Sequence, residues 1–179
     1  GSQVEKEVRR LRAAVRDVKR HLLGFRAKAE DDAGADEARI FDAQVLMLED
    51  KEFLAGVEAL IRENHLAAEK AYEFKALEVR DLWSATGNAR LKEKLADLNG
   101  VTVRVVQHLL HRGVDEPWAE FTEPCVIVAH EIAPGLTVQL PRDRVVGLVS
   151  EEGTRTSHAA ILAHSIGIPA VMGLAGAVE

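Results

Sequence analysis

Apolar residues at Val4, Val8, Leu11, Val15, Val18 and Leu22 recur in alternating steps of four and three, the spacing of one face of a helix in a close helix pair. This stripe predicts a long amphipathic helix over residues 4–22 and commits the N-terminal half to helix-on-helix packing. The segment 31–36, rich in aspartate and holding Gly34, is expected to break that helix, and its carboxylates suit the start of a second one carrying Ile40, Phe41, Val45 and Leu48. A short turn at Glu49-Asp50 follows, with Asp50 as the N-cap of a third helix whose inner face is Phe53, Val57, Leu60 and Ile61. Beyond Asn64-His65, the spacing of Tyr72, Ala76, Val79 and Trp83 gives a fourth helix, which Gly87-Asn88 should end. A fifth spans 89–110 on Leu91, Leu95, Leu98, Thr102, Val105 and Leu109. Gly100 inside it costs roughly 1 kcal/mol relative to alanine, which predicts either a kink or another backbone packed closely there.

After Gly113 the pattern changes. Pro117, Pro124, Pro134 and Pro141 punctuate short apolar runs at 125–129 and 145–149, which read as strands, and a helix over 157–165 and a strand over 170–172 complete an α/β pattern. The expected fold class is α+β: a helical subdomain of about five helices over 3–113, joined near residues 113–120 to a small α/β subdomain over 114–179.

Composition narrows the function. With 179 residues, 47% hydrophobic and 29% charged, the chain can bury one or two compact cores, so wholesale disorder is excluded. A net charge of −6 without a basic cluster argues against nucleic acid or an anionic membrane and favours a partner with a basic docking face. The single cysteine, Cys125, has no internal disulfide partner and reads as a small hydrophobe within a strand. No apolar run approaches 18 residues and no signal-peptide pattern is present, so the cytoplasm is the expected location. Gly1-Ser2 reads as a cloning remnant, and the early start of the first helix predicts further native sequence before it.

The chemistry concentrates in Gly153-Thr154-Arg155-Thr156-Ser157-His158, followed directly by the helix-like run Ala159-Ala160-Ile161-Leu162-Ala163. A glycine turn, hydroxyls and an imidazole at a helix start would hold a nucleophilic histidine where backbone N–H groups can stabilise a phosphoryl group. His158 is therefore a candidate phosphoryl carrier, because a neutral imidazole is a nucleophile near neutral pH. Thr156 or Ser157 could cap the helix, and Arg155 could supply positive charge to the transferring group.

The longer stretch from Gly153 through Ile168-Pro169-Ala170-Val171 to Gly173 resembles the phosphohistidine signature of enzymes that use phosphoenolpyruvate, with the glycines, the histidine and the Ile-Pro-Ala-Val in step. Within that group the helical segment preceding it resembles the N-terminal half of Enzyme I of the phosphoenolpyruvate:sugar phosphotransferase system, or of its nitrogen-related paralogue. The run from Ile40-Phe41 through Leu48-Glu49-Asp50 carries that likeness. The resemblance implies an HPr-binding helical subdomain and a swivelling β/β/α phosphohistidine subdomain, incomplete at both ends. It implies that His158 accepts a phosphoryl group derived from phosphoenolpyruvate and passes it to HPr or an HPr-like carrier, with Gln44, Met47 and Asp50 on the docking helix. It also implies that phosphoenolpyruvate and Mg²⁺ bind in a C-terminal barrel outside this chain, which itself needs no cofactor or metal.

Four positions depart from the family pattern. Thr154 stands where a second glycine is usual and restricts the loop; Ala133 replaces a threonine whose hydroxyl lies near the active histidine; His164 replaces an arginine; and Gln44 replaces a common histidine. Two readings compete with the first: the swivelling domain of a pyruvate phosphate dikinase or phosphoenolpyruvate synthase, and a non-catalytic helical interaction module. His108 with His111, or His130 and His164 with His158, could in principle share a metal, but neither spacing matches a metal-site pattern, and solvated faces are the expected reading.

Overall fold

The structure, a computed structural model, describes residues 2–110 and 122–178. The boundary expected at 113/114, Pro117 and His111 lie outside the described residues. Helix α1 runs Ser2–Ala33, α2 Ala35–Ala38, then a 3₁₀ turn Arg39–Phe41, α3 Asp42–Leu48, α4 Lys51–Asn64, α5 Ala68–Ala85 and α6 Ala89–Leu109. Strand β1 (Cys125–Ala129), α7 (Pro134–Thr137), β2 (Val145–Ser150), α8 (His158–Ser165) and β3 (Ala170–Met172) follow.

The described residues fall into two compact units, 2–23 with 42–110 and 24–41 with 122–178. The second unit thus includes residues 24–41, which the sequence reading grouped with the helices. The first helix breaks within the expected segment 31–36. The helix runs on to Ala33 and stops at Gly34, which takes φ +112, a conformation that favours glycine.

In the helical unit, Val8, Leu11, Val15, Val18 and Leu22 of α1 are buried as their spacing requires, together with Val57 and Ile61 of α4, Tyr72 and Ala76 of α5, and Val101 and Val105 of α6. Asp50 caps α4, its carboxylate accepting from the N–H groups of Glu52 at 2.9 Å and Phe53 at 3.0 Å. Helix α5 begins at Ala67 without a capping side chain of its own. Glu7 of α1 replaces it: its Oε2 accepts the Ala68 N–H at 2.9 Å and pairs with Arg10 Nη1 at 2.5 Å. Arg10 in turn donates to the Leu109 carbonyl at 2.9 Å, at the last turn of α6. Gly100 neither ends nor interrupts α6. A Cβ there would meet the Gln44 side chain at 3.5 Å, so its neighbour is an amide rather than another backbone.

In the α/β unit the sheet order is β1-β2-β3, all parallel, with Val126 opposite Gly147 and Val149 opposite Val171. Parallel strands need crossovers, and α7 and α8 supply them. Val145, Leu148, Ile127 and Met172 pack on one face against Ile132, Leu140, Ala159, Ala163, Ile166 and Ile168. Cys125 is a partly buried member of the same core. On the opposite face Val126, Val128 and Val171 are about half exposed. Asp32 of α1 pairs with Arg142 at 2.7 Å and Ala33 packs against the sheet core, so the end of α1 belongs to this unit by contact; within the segment Phe25 stacks obliquely on the buried Phe41.

Two glycines shape the strand ends. Gly153 has φ +96 and Gly173 φ +79, and a Cβ on Gly173 would lie 3.2 Å from the Gly153 carbonyl oxygen. The loops after β2 and β3 therefore touch backbone to backbone. Gly173→Ala is expected to destabilise this unit by about 1–2 kcal/mol through left-handed strain, with further cost from the close oxygen; faster amide exchange in β3 and α8 checks it. Asp50→Ala should cost about 1 kcal/mol, read as faster exchange in the first turn of α4 and a lower urea midpoint, with Asp50→Asn retaining most of the stability because its side-chain oxygen can accept the same N–H groups.

Candidate functional site

The loop that carries the phosphoryl-carrier motif leaves the C-terminal end of β2, where open α/β sheets place their ligand sites. Gly153 supplies the turn. Thr154 does not need a positive φ, and its hydroxyl has local work: Oγ1 accepts the Thr156 N–H at 3.3 Å and lies 3.0 Å from Thr156 Oγ1. The Ser157 N–H then donates to the Thr154 carbonyl at 3.0 Å. The residue that replaces a glycine thus organises the loop with its side chain.

Ser157, rather than Thr156, is the N-cap of α8. It has extended backbone, its Oγ accepts from the Ala160 N–H at 3.4 Å, and its carbonyl accepts the Ile161 N–H at 3.0 Å. His158 is the first helical residue and is exposed. With the Ala160 and Ile161 N–H groups engaged, helix geometry leaves those of His158 and Ala159 directed off the helix end, together with the positive end of the helix dipole. The next residues anchor the helix: Ala159, Ala160, Leu162 and Ala163 are buried. Arg155 is exposed on the same loop.

Ala133 is the N-cap residue of α7 and offers no side-chain acceptor there, so a threonine at this position would cap α7 and alanine does not. His164 lies in the last turn of α8, six residues and about 9 Å along the axis from His158. His130 at the end of β1 is engaged by Glu151, Nδ1 to Oε2 at 2.5 Å. That hydrogen bond holds the His130 pKa above the ordinary histidine value and the Glu151 pKa below the ordinary carboxylate value, with Val178 and Gly176 N–H groups also favouring the carboxylate. Among the described residues, no three His, Cys, Asp or Glu side chains converge as a metal site. His108 pairs instead with Asp17 at 3.4 Å and lies edge-on to His21.

The docking residues named from sequence lie in the helical unit. Met47 lines a cavity of about 330 Å³ together with Phe53, Tyr72, Lys75, Trp83 and Leu98. Asp50 borders the same cavity while capping α4. Gln44 is buried: its Nε2 donates to Asp97 Oδ1 at 3.4 Å and its Oε1 has no partner among the described residues. The residue of α3 that does face solvent is Leu46, 66% exposed and unnamed in the sequence reading. A helical wheel locates it, because Leu46 is two residues from both buried Gln44 and buried Leu48 and so points to the opposite side. No helix of the described residues is long and apolar enough to cross a membrane.

Comparison with known proteins agrees with this arrangement. Residues 1–94 match the family described as PEP-utilising enzyme, N-terminal, and residues 121–179 match the PEP-utilising enzyme, mobile domain. The phosphoenolpyruvate-protein phosphotransferase of Latilactobacillus sakei is 38% identical over 177 residues, and that of Geobacillus stearothermophilus 39% over 172. Each alignment covers 96% of this chain and 30% of the relative, so the chain spans about a third of their length. A solution structure of an Enzyme I protein superposes with a TM-score of 0.77 at 30% identity, covering 98% of this chain and 70% of that one. The N-terminal domain of a nitrogen-related Enzyme I gives 0.70 at 26%, covering 97% and 70%. A helical part followed by a small parallel α/β part, matched along nearly its whole length, makes this chain a member of the phosphoenolpyruvate-utilising enzymes, corresponding to the N-terminal region of Enzyme I.

Proposed function

We propose that this chain is the phosphoryl-carrying part of a phosphoenolpyruvate-protein phosphotransferase, with His158 accepting a phosphoryl group and passing it to the histidine of HPr or an HPr-like carrier. The observation that carries the reading is the placement of an exposed imidazole at the first position of a capped helix on a strand-end loop. In each transfer one N–P or O–P bond breaks as the new N–P bond forms, and the equatorial oxygens carry the charge of a loose transition state. Helix-terminal N–H groups and the Arg155 guanidinium are suited to that charge, while Thr156 shapes the loop and Ser157 fixes the helix start. The histidine must be free to receive and to donate, which its exposure permits. Phosphoenolpyruvate and Mg²⁺ are assigned to the barrel of the longer relatives, and the transfers take place in the cytoplasm.

Carrier docking is assigned to the α3 surface, with the exposed Leu46 as an apolar contact; Met47 and Asp50 border a cavity of the same unit. The net charge of −6 favours a partner with a basic face.

Mixing the protein with phosphorylated HPr should place an acid-labile, alkali-stable phosphate on His158, located by intact-mass and tandem mass spectrometry. His158→Ala should abolish the label while leaving the helical circular dichroism unchanged. An unlabelled His158 in folded protein would sink the assignment. Leu46→Asp should slow transfer from the carrier about tenfold or more at subsaturating carrier, as for loss of an interface anchor, and leave folding intact; an unchanged rate would remove Leu46 from the docking surface.

A further inference from the structure

The loop that presents His158 opens with two carboxylates, Glu151 and Glu152, immediately before the Gly153 turn. Negative charge is the wrong sign beside a group that receives a phosphoryl anion. One residue from a different strand answers both. His130, at the end of β1, places Nδ1 2.5 Å from Glu151 Oε2 and Nε2 3.5 Å from Glu152 Oε1. Its backbone adds to the same connection: the His130 carbonyl accepts from the Glu152 N–H at 2.9 Å and from Ser150 Oγ at 3.1 Å, and the Ala129 carbonyl accepts from the Glu151 N–H at 3.1 Å. The second oxygen of Glu151 accepts from the Val178 N–H at 3.3 Å. Glu151 is thereby tied at once to the end of β1 and to the segment after β3.

We propose that the His130–Glu151 pair is a positioning device for the His158 loop, fixing where residues 151–157 begin and offsetting one of the two carboxylate charges at its entrance. It rests on the reading of His158 as phosphoryl acceptor. Neither residue touches the transferring group; both act through the loop.

The charged groups facing His130 are Glu151, Glu152 and its neighbour Glu131, all of which favour its protonated form. The Glu151 hydrogen bond is the largest influence and outweighs desolvation. The sign follows. His130 is charged below its raised pKa, so its tie is complete below the ordinary histidine value and is lost as pH rises through the raised one. Glu151 has a lowered pKa, so its side of the tie is lost as pH falls through that lower value. The device is intact between the two, from below the ordinary carboxylate value to above the ordinary histidine value. With its side chain 71% exposed, His130 exchanges protons with solvent freely.

NMR titration and transfer kinetics on the same protein test this. His130 should titrate with a midpoint above about 6.5, and the amide resonances of residues 153–157 should move with that midpoint. His130→Asn should abolish the loop response, and Glu151→Gln should bring the His130 midpoint down toward the ordinary value. Phosphoryl uptake by His158 from phosphorylated HPr should fall about two- to fivefold as pH rises through the His130 midpoint, the scale of one exposed charge interaction. His130→Lys, a cation that does not titrate there, should remove this alkaline limb and hold the faster rate. Loop amides indifferent to the His130 titration, or an unchanged alkaline limb in His130→Asn, would overturn the proposal. A wild-type His158 that takes no label at any pH would refute the phosphoryl-acceptor reading instead, and the loop amides would still decide whether the pair positions the loop.

Discussion

All three strands run in one direction, so all three C-terminal ends arrive at one edge of the sheet, and the chemistry of the second unit follows from that constraint. From the end of β1 comes His130, from β2 the loop with Gly153 and His158, and from β3 Gly173. The loops meet closely because Gly173 lacks a Cβ that would press on the Gly153 carbonyl oxygen, while Gly153 takes a positive φ that favours glycine. Ser150 of β2 joins them further, accepting the Leu174 N–H through its carbonyl and donating its hydroxyl to His130. The site is a small set of short connections holding one another, with α8 anchored beneath by alanines and Leu162.

The helical unit solves a different problem, that of ending helices economically. Helix α4 has its own cap, Asp50, whereas α5 has none and takes one from Glu7, while the partner of Glu7, Arg10, serves the last turn of α6. One polar pair on α1 thus closes two helix ends that its apolar stripe alone would not specify. Gln44 is the less satisfied member of this unit, with a buried oxygen that no donor among the described residues reaches. Buried acceptors of this kind cost about 1–3 kcal/mol, so the position beside Gly100 is occupied at some expense.

Much of this architecture was legible in the sequence because it rests on local periodicity. The α1 stripe, the Asp50 cap, the runs that became β1, β2 and β3, and the start of α8 are all short-range patterns. Legibility failed where tertiary contact overrides local signals. The break of α1 within 31–36 was legible and falls at Gly34, whereas the pairing of Asp32 with Arg142 joins residues too far apart for any local pattern. The grouping of residues 24–41 with the strands rests on Ala33 packing against the sheet core and on the Asp32–Arg142 pair, which no periodicity encodes. Short α7 follows from Pro134 and could have been read as a first-turn proline, but four residues give too little pattern. At the site, His158 and Ser157 were readable because they are consecutive. The contact between His130 and Glu151 joins residues 21 apart and needed the register of β1 on β2 to become visible.

The position of His158 at the first residue of α8 has a thermodynamic consequence. Helical side chains lean toward the N-terminus, so a dianion carried on this ring would be held near the positive end of the helix dipole. Such an anion stabilises a helix terminus by about 0.3–1 kcal/mol at an exposed site. Were His158 to carry such a group, the loaded state would also be the more firmly wound one: α8 would record in its own melting whether the ring is occupied, and discharge would leave behind a slightly looser fold.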